Sequence, residues 1–244
     1  MKAASGDQER LLELQGLDTR LAQLARREAK LPEAEQAAAA KAERDRVRAD
    51  AATLRGTLED AELELRRVES DVDLITTRLA QDEQRMLQAT DAKQAAAFEH
   101  EIASLQRRKG DLEDVELIVM ERVEEHQTAL QAVEADLAER EQLVADAEHV
   151  VAVALESIRA DRAAVTEERA SLAATLPADL LALYEKQRDR YGFGASLLRR
   201  GVSEASGVAL LADELATVRG AAPDDVLICP SSNAILVRTA ESGL

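Results

Sequence analysis

The residues able to do chemistry in this chain are few and scattered. His100, His126 and His149 are its three histidines. On a helix rising about 1.5 Å per residue they would stand roughly 35–40 Å apart, too far to share a metal ion or a proton. Cys229 is the single cysteine and has no histidine near it in sequence, which argues against a nucleophile and excludes an intrachain disulfide. The chain has no Gly-rich phosphate loop, nucleophile elbow or His-Glu-x-x-His pair. No catalytic residue and no cofactor site is therefore assigned, and an enzyme is not expected. Two basic clusters remain, Arg107-Arg108-Lys109 and Arg199-Arg200. Each suits either salt bridges with neighbouring carboxylates or contact with phosphate or an acidic partner. A third candidate is the run Ala95-Ala96-Ala97-Phe98 with Lys93 and Gln94 just before it. Small residues admit another backbone, and Phe98 is either an anchor for a partner or a plug for the end of a helix pair.

Composition says what must position these residues. Of 244 residues, 46% are hydrophobic but only 2% aromatic, and Gly and Pro total 10 and 4. Abundant Ala, Leu, Glu and Arg with so few aromatics is the composition of long helices and coiled coils. The formal net charge of −17 disfavours nucleic acid as a partner, because phosphate binding needs a basic surface. The chain carries neither an apolar run of membrane-spanning length nor an apolar signal core near its start, so no membrane association and a cytoplasmic setting are expected.

Periodicity supplies the elements. Leu14, Leu17, Leu21 and Leu24 mark one amphipathic helix, and Pro32 predicts a kink with a new helix starting there. Val47, Ala51, Leu54, Leu58, Ala61, Leu65, Val68, Val72, Ile75 and Leu79 then alternate steps of four and three. That is the a/d seam of a left-handed coiled coil. It fades near residues 87–92, where Thr90 or Asp91 offers a cap for a second helix. The second seam reads Ile102, Leu105, Leu112, Val115 and Val119, has an irregular step near Arg122 and His126, and resumes at Leu130 and Val133. Two long seams joined by a short turn predict an antiparallel hairpin over residues 1–176. Charged side chains should cover its stem, leaving the tip and the terminal domain to make contacts. A short helix and a linker at Tyr191-Gly192-Phe193-Gly194 follow over 177–194. Residues 195–244 have β-prone runs at Val226–Ile228 and Ala234–Val237 around a tight turn, and too few residues for a generous core. Val208, Leu210, Leu211, Leu215, Val218, Val226, Ile228, Ile235 and Val237 are its expected apolar residues. The fold class is mainly α, a long antiparallel coiled-coil hairpin followed by a small ribbon-like α+β domain.

Several segments resemble one family along the whole chain: Leu11-Leu12-Glu13-Leu14-Gln15, Ala89-Thr90-Asp91-Ala92-Lys93-Gln94, Leu105-Gln106-Arg107-Arg108, Leu180 to Arg188, and Val226 to Leu236. The chain is similar to bacterial coiled-coil proteins that end in a C4-type zinc ribbon. The resemblance implies two Cys-x-x-Cys knuckles, matched here by Ser203, Ser206, Cys229 and Ser232, with Asn233 where the family prefers Gly. Three of four ligand positions are serine, and it is the thiolate that binds zinc. The expectation is thus a degenerate ribbon without metal, held by packing. The resemblance also implies protein partners, since relatives have been linked to an alternative sigma factor and to secretion or flagellar components. Their ribbons have been proposed to touch nucleic acid. A non-enzymatic adaptor or scaffold is the expected function. The alternative is a nucleic-acid-binding module using Arg199, Arg200, Arg219 and Arg238.

Overall fold

A computed structural model describes all 244 residues. Its elements run α1 (Ser5–Ala29), α2 (Pro32–Leu87), α3 (Ala92–Ala173), α4 (Ala178–Tyr191), β1 (Ala195–Arg199), β2 (Val202–Ser203), β3 (Val208–Ala209), α5 (Ala212–Gly220), β4 (Leu227–Ile228) and β5 (Ile235–Val237), with a 3₁₀ turn at Ala240–Ser242. The helix breaks fall where local chemistry demands. Pro32 opens α2, where its missing N–H costs nothing. Asp91 caps α3, its Oδ1 accepting the Gln94 amide at 2.8 Å. Pro177 ends the approach to α4, and Gly192 at φ 88° closes α4 in the left-handed conformation. The long helices form a hairpin, and no helix is long and apolar enough to cross a membrane. The chain divides into two compact units, Glu33–His149 and Met1–Pro32 with Val150–Leu244.

In the first of these units α2 and α3 form the hairpin. The α2 seam lies as the spacing predicts: Val47, Ala51, Ala61, Val68, Ile75 and Leu79 are buried, and Leu54, Leu58, Leu65 and Val72 half-buried. It continues through Asp82, a buried carboxylate paired with Arg85 at 3.1 Å. The α3 seam corrects the sequence reading. The row spaced by seven residues runs without a break through Ile102, Lys109, Glu116, Val123, Leu130, Leu137 and Val144. Val119 is 1% exposed and belongs to the second row, whereas Val115 is 41% exposed and lies off the seam. There is also no irregular step, since Val123 and His126 both sit half-buried in phase. The phase of a coiled coil is set by the whole repeat, so Glu116 is carried onto the seam although the apolar Val115 stands beside it. Cross-helix ion pairs mark the register. Arg48 meets Glu141 at 2.8 Å, Lys41 meets Glu148 at 2.6 Å, and Arg55 meets Glu134. Each step of seven along α2 matches a step of seven back along α3, the signature of antiparallel pairing. Exposed pairs of this kind contribute about 0.2–1 kcal/mol each, so burial of the seam dominates and the charges select register.

The second unit contains α1, the C-terminal part of α3, α4 and the sheet. Leu24 and Leu31 pack against Ile158 and Val165. The sheet order is β3-β2-β1-β5-β4, with β1 and β5 parallel and every other pair antiparallel. Its core is shared with helices: Leu11, Leu14, Leu176, Leu180 and Tyr184 close on Ala195, Ile235 and Val237. A second cluster inside the terminal domain joins Leu198, Leu210, Val218, Cys229 and Leu236. Among the expected apolar residues, Val208, Leu211 and Ile228 are exposed instead. Val208 and Ile228 lie in two-residue edge strands, β3 being exposed at both residues and β4 at Ile228, and Leu211 stands at the N-cap of α5. Leu198, Ala195 and Leu236 fill the core in their place.

Candidate functional site

In the unit formed by Met1–Pro32 and Val150–Leu244, charges converge on one carboxylate. Asp18 on α1 accepts hydrogen bonds from the Tyr184 hydroxyl at 2.6 Å, from Arg169 Nη2 at 3.1 Å and from Arg188 Nη1 at 3.1 Å. Arg169 also donates to Glu185 at 2.7 Å. Burial alone would push the Asp18 carboxyl up, but the hydrogen bonds from Arg169 and Tyr184 and the two guanidinium charges hold it below the usual carboxylate range. Desolvation and the bond to Asp18 push the Tyr184 phenol far up, so it stays a donor. One turn earlier, Gln15 Oε1 accepts the amides of Gly194 and Ala195 at 2.8 and 3.3 Å. Gly194 is more than linker. A Cβ there would come within 2.4 Å of the Tyr184 ring, so only glycine lets β1 start this close to α4. Every member of this network holds another member or a backbone amide, which makes it a clasp joining α1, α3, α4 and β1. The sequence hid it, since Asp18 and Arg169 lie 151 residues apart.

The four positions matched to zinc ligands do come together. Two turns, Ser203–Val208 and Cys229–Ala234, repeat one hydrogen-bond pattern. The fifth residue's amide returns to the first residue's carbonyl, Gly207 to Ser203 at 2.8 Å and Asn233 to Cys229 at 2.9 Å. The sixth residue's amide reaches the fourth residue's hydroxyl, Val208 to Ser206 at 3.3 Å and Ala234 to Ser232 at 3.4 Å. The fifth residue is left-handed in both, Gly207 at φ 68° and Asn233 at φ 59°. Hydroxyls bridge the turns: Ser206 Oγ lies 3.0 Å from Ser231 Oγ, which lies 3.2 Å from Cys229 Sγ. Ser203 and Cys229 are fully buried. Burial pushes the Cys229 thiol up, but the hydroxyls of Ser203, Ser231 and Ser232 and a Ser232 backbone amide outweigh it and bring it down to about 7. One thiol and three neutral hydroxyls are a poor donor set for zinc. No group of three or more His, Cys, Asp or Glu side chains converges elsewhere. The residues present do not fit a zinc ion.

The basic clusters do not form free patches. Arg199 is neutralised by Glu241 at 2.8 Å and Glu204 at 3.0 Å. Arg200 is exposed in the β1–β2 turn at φ 48°. Arg238 is a structural clamp, donating to the carbonyls of Ala221 at 3.0 Å, Ala222 at 2.7 Å and Asp225 at 2.9 Å. Arg107 and Arg108 are exposed, but Lys109 sits half-buried on the α3 seam row and pairs with Glu113 at 3.4 Å. Consecutive helical residues are about 100° apart, so the three cannot act as one patch. At the tip, Lys93 and Gln94 are exposed and Phe98 half-buried.

Exposed large apolar side chains interrupt the charged coat of the stem at several places, Leu63, Leu74 and Leu143 among them, and most densely around residues 115–120 of α3. Between residues 115 and 120 of α3 five of six side chains are apolar, and only Val119 faces the partner helix fully. Leu117 is 60% and Ile118 63% exposed. With about 100° per residue, Leu117 and Ile118 point away from the seam while Val115 and Met120 flank it, so α3 is apolar around most of its circumference. The signal was present in the sequence, because a two-helix seam uses only about two apolar residues in seven.

A two-helix coiled coil followed by a small mixed sheet defines a coiled-coil hairpin protein. The chain belongs to the CT398-like coiled coil hairpin domain family, whose profile matches residues 14–192. It is 38% identical over 246 residues to an uncharacterized protein of Mycobacterium tuberculosis, covering 98% of each chain. A solved structure from Mycobacterium smegmatis is 33% identical, with a TM-score of 0.89 over 98% of this chain and 100% of that one. CT398 of Chlamydia trachomatis shares the fold at 16% identity, with a TM-score of 0.67 over 96% of this chain and 98% of the other. The terminal domain lies beyond the segment matched by the family profile.

Proposed function

We propose that the protein is a non-enzymatic adaptor that holds protein partners through exposed apolar residues of α3, aided by Lys93, Gln94 and Phe98 at the tip and by the terminal domain. The observation that carries this reading is the exposure of Leu117 and Ile118. Covering a side chain of that size contributes about 1.5–3 kcal/mol, and a helix apolar on all sides is ordinarily buried. The titratable clusters, by contrast, are spent on structure: Asp18, Arg169 and Arg188 at the clasp, Arg199 in ion pairs, Arg238 on carbonyls. Those assignments, with the net charge of −17, also disfavour the nucleic-acid reading.

The test is affinity capture from a lysate of the native host, using the full chain and a Leu117→Asp/Ile118→Asp variant. Because the two residues face water, the variant should keep the parent's helical content and melting temperature. The expected result is a defined set of captured proteins that the variant loses. Capture unaffected by the variant, or abolished by nuclease, would overturn the reading.

A further inference from the structure

We propose that the two turns of the terminal domain are a metal cradle whose ligands have been replaced, so that hydrogen bonds among Ser206, Ser231 and Cys229, with Ser203 tied to Ser196, close it in place of an ion. The inference does not depend on the adaptor reading. It begins from the equivalence of the turns. Each has the same returning amide, the same amide-to-hydroxyl bond at the sixth residue and the same left-handed fifth residue. Side chains at the first and fourth positions of two such turns are the four that a tetrahedral ion would take, and thiolates there are the usual donors. This chain has a thiol at one position and hydroxyls at three.

What would be an ion's cross-link is here a chain of short polar contacts. Ser206 and Ser231 join the turns at 3.0 Å, and Ser231 passes the contact to Cys229 at 3.2 Å. Ser203, at the head of the first turn, is tied to Ser196 of β1 at 2.8 Å, and Ser196 also accepts the Ala205 amide at 3.0 Å. Small metal domains ordinarily draw their folding free energy from the ion. The replacement here comes from the two sources the structure displays. One is this hydroxyl network, buried at Ser196–Ser203 and open to water at Ser206–Ser231; the other is the core that Ala195, Ile235 and Val237 share with Leu11, Leu14 and Tyr184. A domain anchored on the helices needs no ion to fold. Substituting thiols for the three hydroxyls would then reconstitute a binding site without moving the backbone.

The experiment uses the full chain, purified without chelator, and the variant S203C/S206C/S232C. The parent should contain no stoichiometric zinc, and its melting temperature should be unchanged by EDTA. The variant should take up about one Zn²⁺ per chain and, with Co²⁺, show the visible absorption of tetrahedral thiolate coordination. Stoichiometric zinc in the parent, or a folded variant that binds neither metal, would overturn the proposal. Ser203→Ala covers the case of a triple variant that does not fold. Losing the buried Ser196–Ser203 bond should lower the melting temperature by about 3 °C. An unchanged melting temperature would remove the hydrogen-bond network from the explanation and overturn that proposal as well.

Discussion

Among single residues, Asp18 has the largest calculable consequence. It is the acceptor shared by Arg169, Arg188 and Tyr184, and its side chain is only 10% exposed. Its folded-state acidity is stronger than that of an unfolded aspartate, which titrates near pH 4. A carboxyl whose pKa is lowered by folding contributes stability that is complete above the unfolded value and disappears as pH falls through the folded one. Asp18→Asn should therefore cost about 2 kcal/mol at pH 7, the scale of charge-assisted hydrogen bonds. The gap to the parent should narrow below about pH 4, as the parent itself is protonated. Denaturant melts of both proteins at several pH values measure this. A gap independent of pH would mean that Asp18 acts by shape alone.

Among elements, the α3 seam separates what was legible from what was not. On α2 the alternation of three and four is filled by apolar residues at every step, so pattern and structure coincide from Val47 to Leu79. On α3 the same repeat places Lys109, Glu116, His126 and Arg140 at half-buried positions. Apolarity alone therefore chose Val115 over Glu116 and introduced an irregular step that the helix does not have. The partner helix decides the phase, and that information is absent from a short window of one strand of sequence. The correction is testable. Val119→Asp buries an unpaired charge where the parent side chain is 1% exposed and should cost about 3 kcal/mol or more. Val115→Asp, at an exposed position, should stay within about 0.5 kcal/mol. Equal thermal shifts for the two would restore the original phase.

For the whole molecule, the hairpin was readable because its instructions are periodic and its breaks are made by Pro32, Asp91 and Pro177. The terminal domain was readable at its β4–β5 turn and in six of its nine expected apolar residues, but not in its strand order. Strand β1 was missed because Ala195–Arg199 reads as ordinary sequence and becomes a strand by pairing in parallel with β5, some 40 residues on. The clasp was missed for the same reason: Gln15, Asp18, Arg169 and Tyr184 acquire meaning only when three helices meet. These long-range contacts also decide how the domain behaves. Residues 195–244 share a core with Leu11, Leu14, Leu180 and Tyr184, so cutting the chain at Tyr191 would strip the helices of their cover. Function must accordingly be probed on the intact chain.

The most direct measurement is site-specific photo-crosslinking in the native host, with a photoreactive residue placed at Ile118 and, as control, at Glu59 on the charged surface of α2. Position 118 should give discrete protein adducts that survive nuclease and high salt, well above those from position 59. Adducts no more abundant at 118 than at 59, or adducts that nuclease removes, would contradict an apolar protein-binding surface on this hairpin.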